Sequence, residues 1–382
     1  MPKNNIFLTG ATGSLGYALL PELLRRSENN HVYCLVRPNP IHSAEERLRM
    51  MVKTISLNAH ESGRIHCVPG DATLPGLGIE KFTFSTLSSQ IDQVFHLAAS
   101  VDFMLDLEES RRQNVGATTN VLEFCKKITD HKRGNFRLNH VSTAYVCGRK
   151  SGHLSEGATA GEAGYFNSYE QSKAEAEEVV RNAATQIPTT IYRPSQIIGD
   201  SNTGCVHKFF GFYEFVAMGA RGRSDVLVAN GNTRPDMVPS DFVAKAMLFL
   251  GEQTDTIGQT YHLAAGLANS LTVNQVVERV TCILRDFTKD FEKFKQPRVI
   301  SSDSLETTLT AEELKAFAYS PQKLLLRSYA PYLTHEKDFD VNATQRRLEH
   351  AGIRLPPMST VIDKTTAYAL SHRNNKMSTV TH

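Results

Sequence analysis

The sequence has almost no surplus charge of either sign: 42 Lys and Arg stand against 40 Asp and Glu, a formal net charge of +2 with the signs mixed along the chain. So small an imbalance gives no electrostatic footprint for nucleic acid or for an anionic membrane, and a partner has to be sought in chemistry instead of bulk charge. Long hydrophobic runs are missing too. Stretches such as Val94 to Ala99 and Ala246 to Leu250 fall well short of the ~18 residues needed to cross a bilayer, so no transmembrane segment is expected. The opening Met1-Pro2-Lys3-Asn4-Asn5 runs directly into Ile6-Phe7-Leu8, too brief for a secretory h-region. Cysteine is scarce and scattered, at 34, 67, 125, 147, 205 and 282 without a CxxC pair, which argues against both a zinc site and a disulfide framework. A reduced, cytoplasmic protein is expected. No internal repeat is visible, and 24 Gly with 15 Pro is ordinary for a folded globular chain.

What is present is a rhythm. From residue 4 to about 200, short apolar runs alternate with longer amphipathic ones, the pattern of strand and helix in turn. Strands are expected at Ile6 to Thr9, His31 to Val36, Ile65 to Pro69, Gln93 to Ala98, Arg137 to Val141 and Thr189 to Tyr192. Helices are expected at Leu15 to Arg26, Glu45 to Thr54, Asn114 to Lys127 and Tyr169 to Thr185. Repeated βα units imply an α/β fold, a doubly wound parallel sheet of Rossmann type with its ligand at the carboxyl ends of the strands. The rhythm breaks after Pro194, resumes from Asp241 to Leu250 and Gln259 to Ala264, and then gives way to a smaller, mainly helical lobe from about Leu271, with helices near 272–287, 310–318 and 340–351. The expected division is a dinucleotide-binding domain over 1–198, completed by about 234–266. A substrate-binding lobe takes 199–233 and 267–370, and a frayed tail 371–382.

The first strand runs into Thr9-Gly10-Ala11-Thr12-Gly13-Ser14-Leu15-Gly16, where a helix begins. In that context the glycines bring backbone close to a pyrophosphate, and the free amides and dipole of the helix N-terminus hold its charge. The second strand ends at Arg37, 21 residues beyond Gly16. Dinucleotide folds that take NAD place an acidic residue there. An arginine suits a 2′-phosphate instead, so NADPH is the expected cofactor. Arg47 is a candidate second phosphate ligand or a solvated helix residue. Asp71 after the third strand is placed to accept from an adenine amino group, with Ala72 beside it, and the small Leu97-Ala98-Ala99 after the fourth lets a cofactor lie close.

Tyr169-Glu170-Gln171-Ser172-Lys173 sets a phenol and an ammonium one helical turn apart. An ammonium beside a phenol favours the phenolate and should draw the tyrosine from its ordinary value of about 10 toward the working range, ready to trade protons with a substrate oxygen. The fifth strand ends in Val141-Ser142-Thr143-Ala144-Tyr145, a hydroxyl at a strand's carboxyl end 26 residues before Tyr169.

Together these residues resemble the extended short-chain dehydrogenase/reductases, whose fingerprint is TGxxGxxG, a Ser or Thr after the fifth strand, and YxxxK. Within that group the chain is most similar to the thioester-reductase and fatty acyl-CoA reductase branch, the male-sterility type. The similarity is carried by Gly70-Asp71-Ala72-Thr73-Leu74-Pro75-Gly76, His96-Leu97-Ala98-Ala99-Ser100, Asn114-Val115-Gly116 and Arg193-Pro194-Ser195-Gln196, over roughly residues 4 to 265. The resemblance implies a triad of Thr143, Tyr169 and Lys173, with Asn114 supporting the lysine through a water and Pro194 and Ser195 beside the cofactor. It also implies reduction of an acyl thioester, bound to CoA or to a separate carrier protein, to an aldehyde or alcohol. Two other readings keep the fold: an enzyme of a sugar nucleotide, sterol or other ketone or alcohol, and a sensor that binds NADP(H) without turnover.

Other signals carry less. Ser302-Asp303-Ser304-Leu305 has the form of a phosphopantetheine attachment core but lacks a carrier module around it, and Thr310 to Glu313 reads as a plain capping box. The aromatic cluster Phe209 to Phe215 suits an acyl pocket or a buried helix equally. His96, His140 and His207 lack ligand spacing and are read as packing or surface residues, and Cys205 as an incidental thiol without a partnered base.

Overall fold

Seven parallel strands form the centre of the protein: β1 (Asn4–Thr9), β2 (Asn30–Val36), β3 (Ile65–Pro69), β4 (Gln93–His96), β5 (Arg137–Val141), β6 (Thr189–Pro194) and β7 (Thr260–Leu263). The computed structural model describes residues 3–132, 136–221, 225–288, 294–318 and 321–372. The sheet order is β3-β2-β1-β4-β5-β6-β7. The winding reverses between β1 and β4, where Phe7 pairs with Tyr33 on one side and Val94 on the other. A doubly wound sheet opens its ligand crevice at such a switch point.

The helices that frame the sheet and the site are α1 (Ser14–Arg26), α2 (Ala44–Val52), α3 (Lys81–Gln90), α4 (Ala117–His131), α5 (Ser168–Ala183), α6 (Phe212–Gly219), α7 (Ser240–Glu252), α8 (Val273–Thr288), α9 (Pro321–Thr334) and α10 (Met358–Ser371), and the helices expected near 310–318 and 340–351 are present as Ala311–Ala318 and Asn342–His350. Strand side chains alternate faces, and β1 shows the result. Ile6 and Leu8 pack with Leu19 and Leu23 of α1 and Val243 and Met247 of α7, while Phe7 packs with Val121 and Phe124 of α4. Because both faces are covered, β1 reads as a continuous apolar run, as expected of a buried parallel strand. Beyond the sheet, α6, α8 and α10 share a separate core around Phe212, Val216, Leu284 and Val361. Three short parallel pairs stitch the chain together: Gln196–Ile198 with Met237–Pro239, Val226–Val228 with Arg298–Ile300, and Gly152–Leu154 with Lys337–Phe339.

Several expected boundaries shift. The fourth strand stops at His96 and the sixth continues to Pro194. The helix expected from Asn114 is entered earlier, through α-helical Leu107–Arg111, and regular winding resumes at Ala117 after Arg112–Gly116 forms a π-turn that winds in an extra residue. Helices α3, α9 and α10 escaped the periodicity reading, and α9 carries Pro331 in its interior. Ser371, assigned to a frayed tail, closes α10; the tail from 373 onward lies outside the described residues. The capping box at Thr310 is present, with Thr310 and Glu313 exchanging hydrogen bonds of 2.8 and 3.2 Å. Among the described residues no helix is long and apolar enough to cross a membrane, and no group of three or more His, Cys, Asp or Glu could hold a metal ion.

One buried ion pair ties the sheet to α5. Arg193, fully buried on β6, donates from Nε and Nη2 to Glu177 at 2.9 and 2.7 Å, and from Nη1 to the carbonyls of Glu156 and Ala158 at 3.0 and 2.8 Å. Burial pushes the Glu177 carboxyl up, but the Arg193 hydrogen bonds and charge outweigh it and hold the group below its ordinary value. A carboxylate so depressed stabilises the fold above its unfolded pKa, and the contribution is lost as pH falls through the folded one. Glu177→Ala would leave a buried guanidinium unpaired. We expect a loss of about 3–5 kcal/mol in urea unfolding at pH 7, shrinking in strongly acidic buffer; a loss under 1 kcal/mol at pH 7 would contradict it.

Candidate active site

The turn from β1 into α1 is shaped for close approach. Gly10 has φ +74°, and a Cβ there would lie 2.7 Å from the Ala98 nitrogen. At Gly16 a Cβ would sit 2.1 Å from the Ala11 carbonyl oxygen, so only glycine lets the first turn of α1 close onto the loop. Gly13 caps α1 without any side-chain hydrogen bond, leaving the first-turn amides to whatever anion lies before them.

Two adjoining cavities run over the carboxyl ends of the strands. One is lined by Gly10, Thr12, Gly13, Arg37, Arg47, Asp71, Ala72, Leu97, Ala98 and Ala99. The other is lined by Gly10, Gly13, Ser14, Leu15, Gly16, Leu97, Ala99, Thr143, Tyr169, Lys173, Pro194 and Ser195. They share Gly10, Gly13, Leu97, Ala99 and Lys208, forming one elongated cleft across the switch point. Of the residues the sequence suggested for cofactor and chemistry, Asn114 alone lines neither cavity. It lies buried beneath, accepting from the Ser100 amide at 2.8 Å and donating to the Ser172 hydroxyl at 2.9 Å. Asn114 thereby bridges the β4 loop and α5.

At one end of the cleft, Arg47 donates to the Arg37 carbonyl and reaches Thr12 Oγ1 at 3.5 Å. Burial, and next the charge of Arg37, push Arg47 below the usual arginine range. Asp71 Oδ2 is 3.5 Å from Arg37, while its Oδ1 accepts from the Thr73 amide and hydroxyl at 2.9 Å each.

At the other end, Asn167 caps α5 by accepting from the Glu170 amide at 2.9 Å, and the helix presents Tyr169 and Lys173 to the cleft. Lys173 donates to the Val141 carbonyl at 2.8 Å, and burial draws its ammonium down to about 8. Tyr169 departs from expectation. The half-buried phenol is pushed up to about 12 by desolvation, with a hydrogen bond from Thr143 pulling back only in part. The lysine directs its proton at the strand end and contributes nothing resolvable to the phenol, so the tyrosine stays protonated at neutral pH. Ser142 faces Glu177, whereas Thr143 faces Tyr169, as strand alternation requires.

Other residues of the site were not legible in advance. Phe103 stacks near Tyr169, Tyr329 and Tyr332, with ring centroids 5.3, 5.4 and 5.8 Å away, and Tyr145 meets Tyr332 edge-on at 4.9 Å. Tyr332 donates to Glu170 Oε1 at 2.7 Å and accepts from Asn167 at 2.9 Å, binding α9 to the start of α5. The available signal was the i, i+3 spacing of Tyr329 and Tyr332, which puts both on one helix face. Lys208 offered no signal at all. Phe212 and Phe215 sit on a largely buried helix that also walls a cavity. His96 bonds Thr9 and Thr118 at 2.8 and 3.2 Å in the core, as a packing residue. Cys205 does have a neighbouring base: its sulfur is 3.5 Å from His207 Nε2, whose ring stacks on Tyr17.

The doubly wound sheet, the glycine turn and the tyrosine–lysine pair on the helix before β6 define an extended short-chain dehydrogenase/reductase. The chain belongs to the male sterility protein family, whose model matches residues 8–247, and the cofactor of such a site is a nicotinamide dinucleotide. A small-residue cradle, uncapped helix amides and two arginines lining one end fit that group. Among similar proteins are "Nonribosomal peptide synthetase asaC" of Aspergillus flavus, 30% identical over 68% of this chain and 26% of its own length, and "Fatty acyl-CoA reductase wat" of Drosophila melanogaster, 28% identical over 64% of this chain and 53% of its own. The chain thus spans between a quarter and about half of these relatives. A crystal structure of the terminal R domain from the myxalamid PKS-NRPS biosynthetic pathway superposes with a TM-score of 0.80 at 28% identity, covering 98% of this chain and 92% of that one.

Gly16→Ala should lower nicotinamide dinucleotide affinity at least roughly tenfold and cost about 1–3 kcal/mol of stability through overpacking. Fluorescence titration and thermal unfolding check both; wild-type affinity in the variant would show that the turn tolerates the methyl.

Proposed function

We propose that this protein is an NADPH-dependent reductase of an acyl thioester, carried on CoA or on a separate carrier protein, yielding the aldehyde and, with a second hydride, the alcohol. The single observation that carries the reading is the gathering of Tyr169, Thr143 and Lys173 at one end of a cleft whose other end gathers Arg37 and Arg47. Relatives named as fatty acyl-CoA reductase and nonribosomal peptide synthetase supply the substrate class.

Arg37 and Arg47 hold the 2′-phosphate, and the first-turn amides of α1 hold the pyrophosphate. The bound reduced nicotinamide supplies hydride to the thioester carbonyl carbon. Tyr169, held protonated by its surroundings, gives its proton to the carbonyl oxygen, and Thr143 steadies that oxygen as charge develops. Lys173, charged below about pH 8, donates to the Val141 carbonyl and so fixes the end of β5 that carries Thr143 beside the tyrosine. Collapse of the resulting hemithioacetal breaks the C–S bond and releases thiol and aldehyde. Catalysis takes place in the cytoplasm.

The decisive test is incubation with NADPH and acyl-CoA, following aldehyde or alcohol by mass spectrometry. Tyr169→Phe should lower kcat roughly 10²–10⁴-fold while leaving NADPH affinity within about twofold. NADPH consumption with ketones alone would replace thioester reduction by the sugar-nucleotide or sterol class, and binding without any turnover would point to a sensor.

Arg37→Glu should weaken NADPH roughly tenfold or more and spare NADH, since it removes one charge-assisted bond to the 2′-phosphate and adds a repulsion. An unchanged ratio of the two dissociation constants would move the phosphate site elsewhere.

A further inference from the structure

Behind the aromatic wall of the active site lies a second cavity, between α6, α8 and the short strand Val226–Val228. Gln196, Tyr329 and Tyr332 line this cavity and the catalytic cleft alike, so the two voids adjoin at those three side chains. From that junction the walls are aliphatic and aromatic: Phe215 and Val216 on α6, Val277, Val280 and Leu284 on α8, and Phe294 beyond it. The α8 contribution recurs every three or four residues, a stripe that in a closed core would be filled by a neighbour. Asp225 and Lys295 are the charged members of the lining. An apolar void of this kind is destabilising when nothing fills it, and this one adjoins the cleft wall next to the phenol that faces the reacting carbonyl.

We infer that this chamber takes the straight aliphatic tail of the acyl group, threaded past Tyr329 and Tyr332, and that it makes the protein selective for fatty acyl thioesters over peptidyl ones. The inference rests on the thioester-reductase reading and adds the substrate class to it. The tyrosine hydroxyls are engaged elsewhere, Tyr332 with Glu170 and Asn167 and Tyr329 with Glu214 and the Gly211 backbone. They therefore offer ring faces to a passing methylene chain. A peptidyl group would leave its amides in a chamber with few polar groups to meet them, an unfavourable exchange. The thiol carrier lies outside this chamber, so chain selectivity is the same on CoA or on a carrier protein.

The test compares kcat/KM for butanoyl, octanoyl and dodecanoyl thioesters of CoA and of pantetheine, with binding of S-butyl- and S-dodecyl-pantetheine thioethers measured by calorimetry on the wild-type protein. Each added methylene should raise kcat/KM and tighten thioether binding roughly fourfold until the chamber is full. Val277→Phe, which plugs the chamber, should lower the dodecanoyl-to-butanoyl ratio at least roughly tenfold. Val280→Phe, at a more exposed site on α8, serves if the first variant does not fold. Equal binding of both thioethers, or variants that lower all chain lengths alike, would overturn the inference while leaving the reductase reading intact. Tighter dodecyl binding without turnover of any thioester would overturn the reductase reading and keep the chamber.

Discussion

The buried pair of Arg193 and Glu177 is the constraint on which the site depends. Arg193 comes from β6, Glu177 from α5, and the two carbonyls that complete the arginine's partners from residues 156 and 158. Glu177 lies one helical turn beyond Lys173, which lies one turn beyond Tyr169. Fixing the carboxylate against the sheet therefore fixes the rotation of α5 about its axis, and with it the direction in which phenol and ammonium project. Among hydrophobic neighbours alone, a helix could roll by part of a turn at little cost. A bidentate charge pair in a dry interior cannot, because any misalignment exposes an unpaired charge to a medium that solvates it poorly.

Electrostatics inside the cleft then separates two groups that spacing alone suggested would cooperate directly. Desolvation raises the phenol and lowers the ammonium, each toward its neutral form, and neither offsets the other because the lysine is turned toward the Val141 carbonyl. A protonated tyrosine suits the reductive direction, in which the enzyme must give up a proton. The i, i+4 pattern identified the two residues, but the solvation that sets their ionisation is a property of the assembled walls.

That contrast marks how far the sequence could be read. The βα alternation, the glycine turn, Arg37 and the tyrosine–lysine helix are local patterns, each contained within about twenty residues, and the structure brings them to one crevice. The residues that surround the chemistry from outside the sheet were hidden. Phe103 precedes any recognisable element, and Lys208 follows the point where the rhythm breaks. Tyr329 and Tyr332 belong to α9, which Pro331 disguises as a non-helical segment. Asn114 was visible as a residue but its hydrogen bonds to Ser100 and Ser172 were not, since a reading at 3.6 residues per turn cannot foresee a π-turn.

That extra residue acts as a phase shifter between two demands on one continuous stretch of backbone. From Ala117 onward the apolar side of α4 must face the sheet, carrying Val121 and Phe124 inward, whereas Asn114 must look toward α5 to clamp Ser172. An unbroken α-helix advances about 100° per residue, so winding the same residues of Arg112–Gly116 as regular α-helix would rotate one face relative to the other by that angle. Either the hydrophobic stripe or the clamp would then be misdirected, and a single inserted residue lets both requirements be met at once.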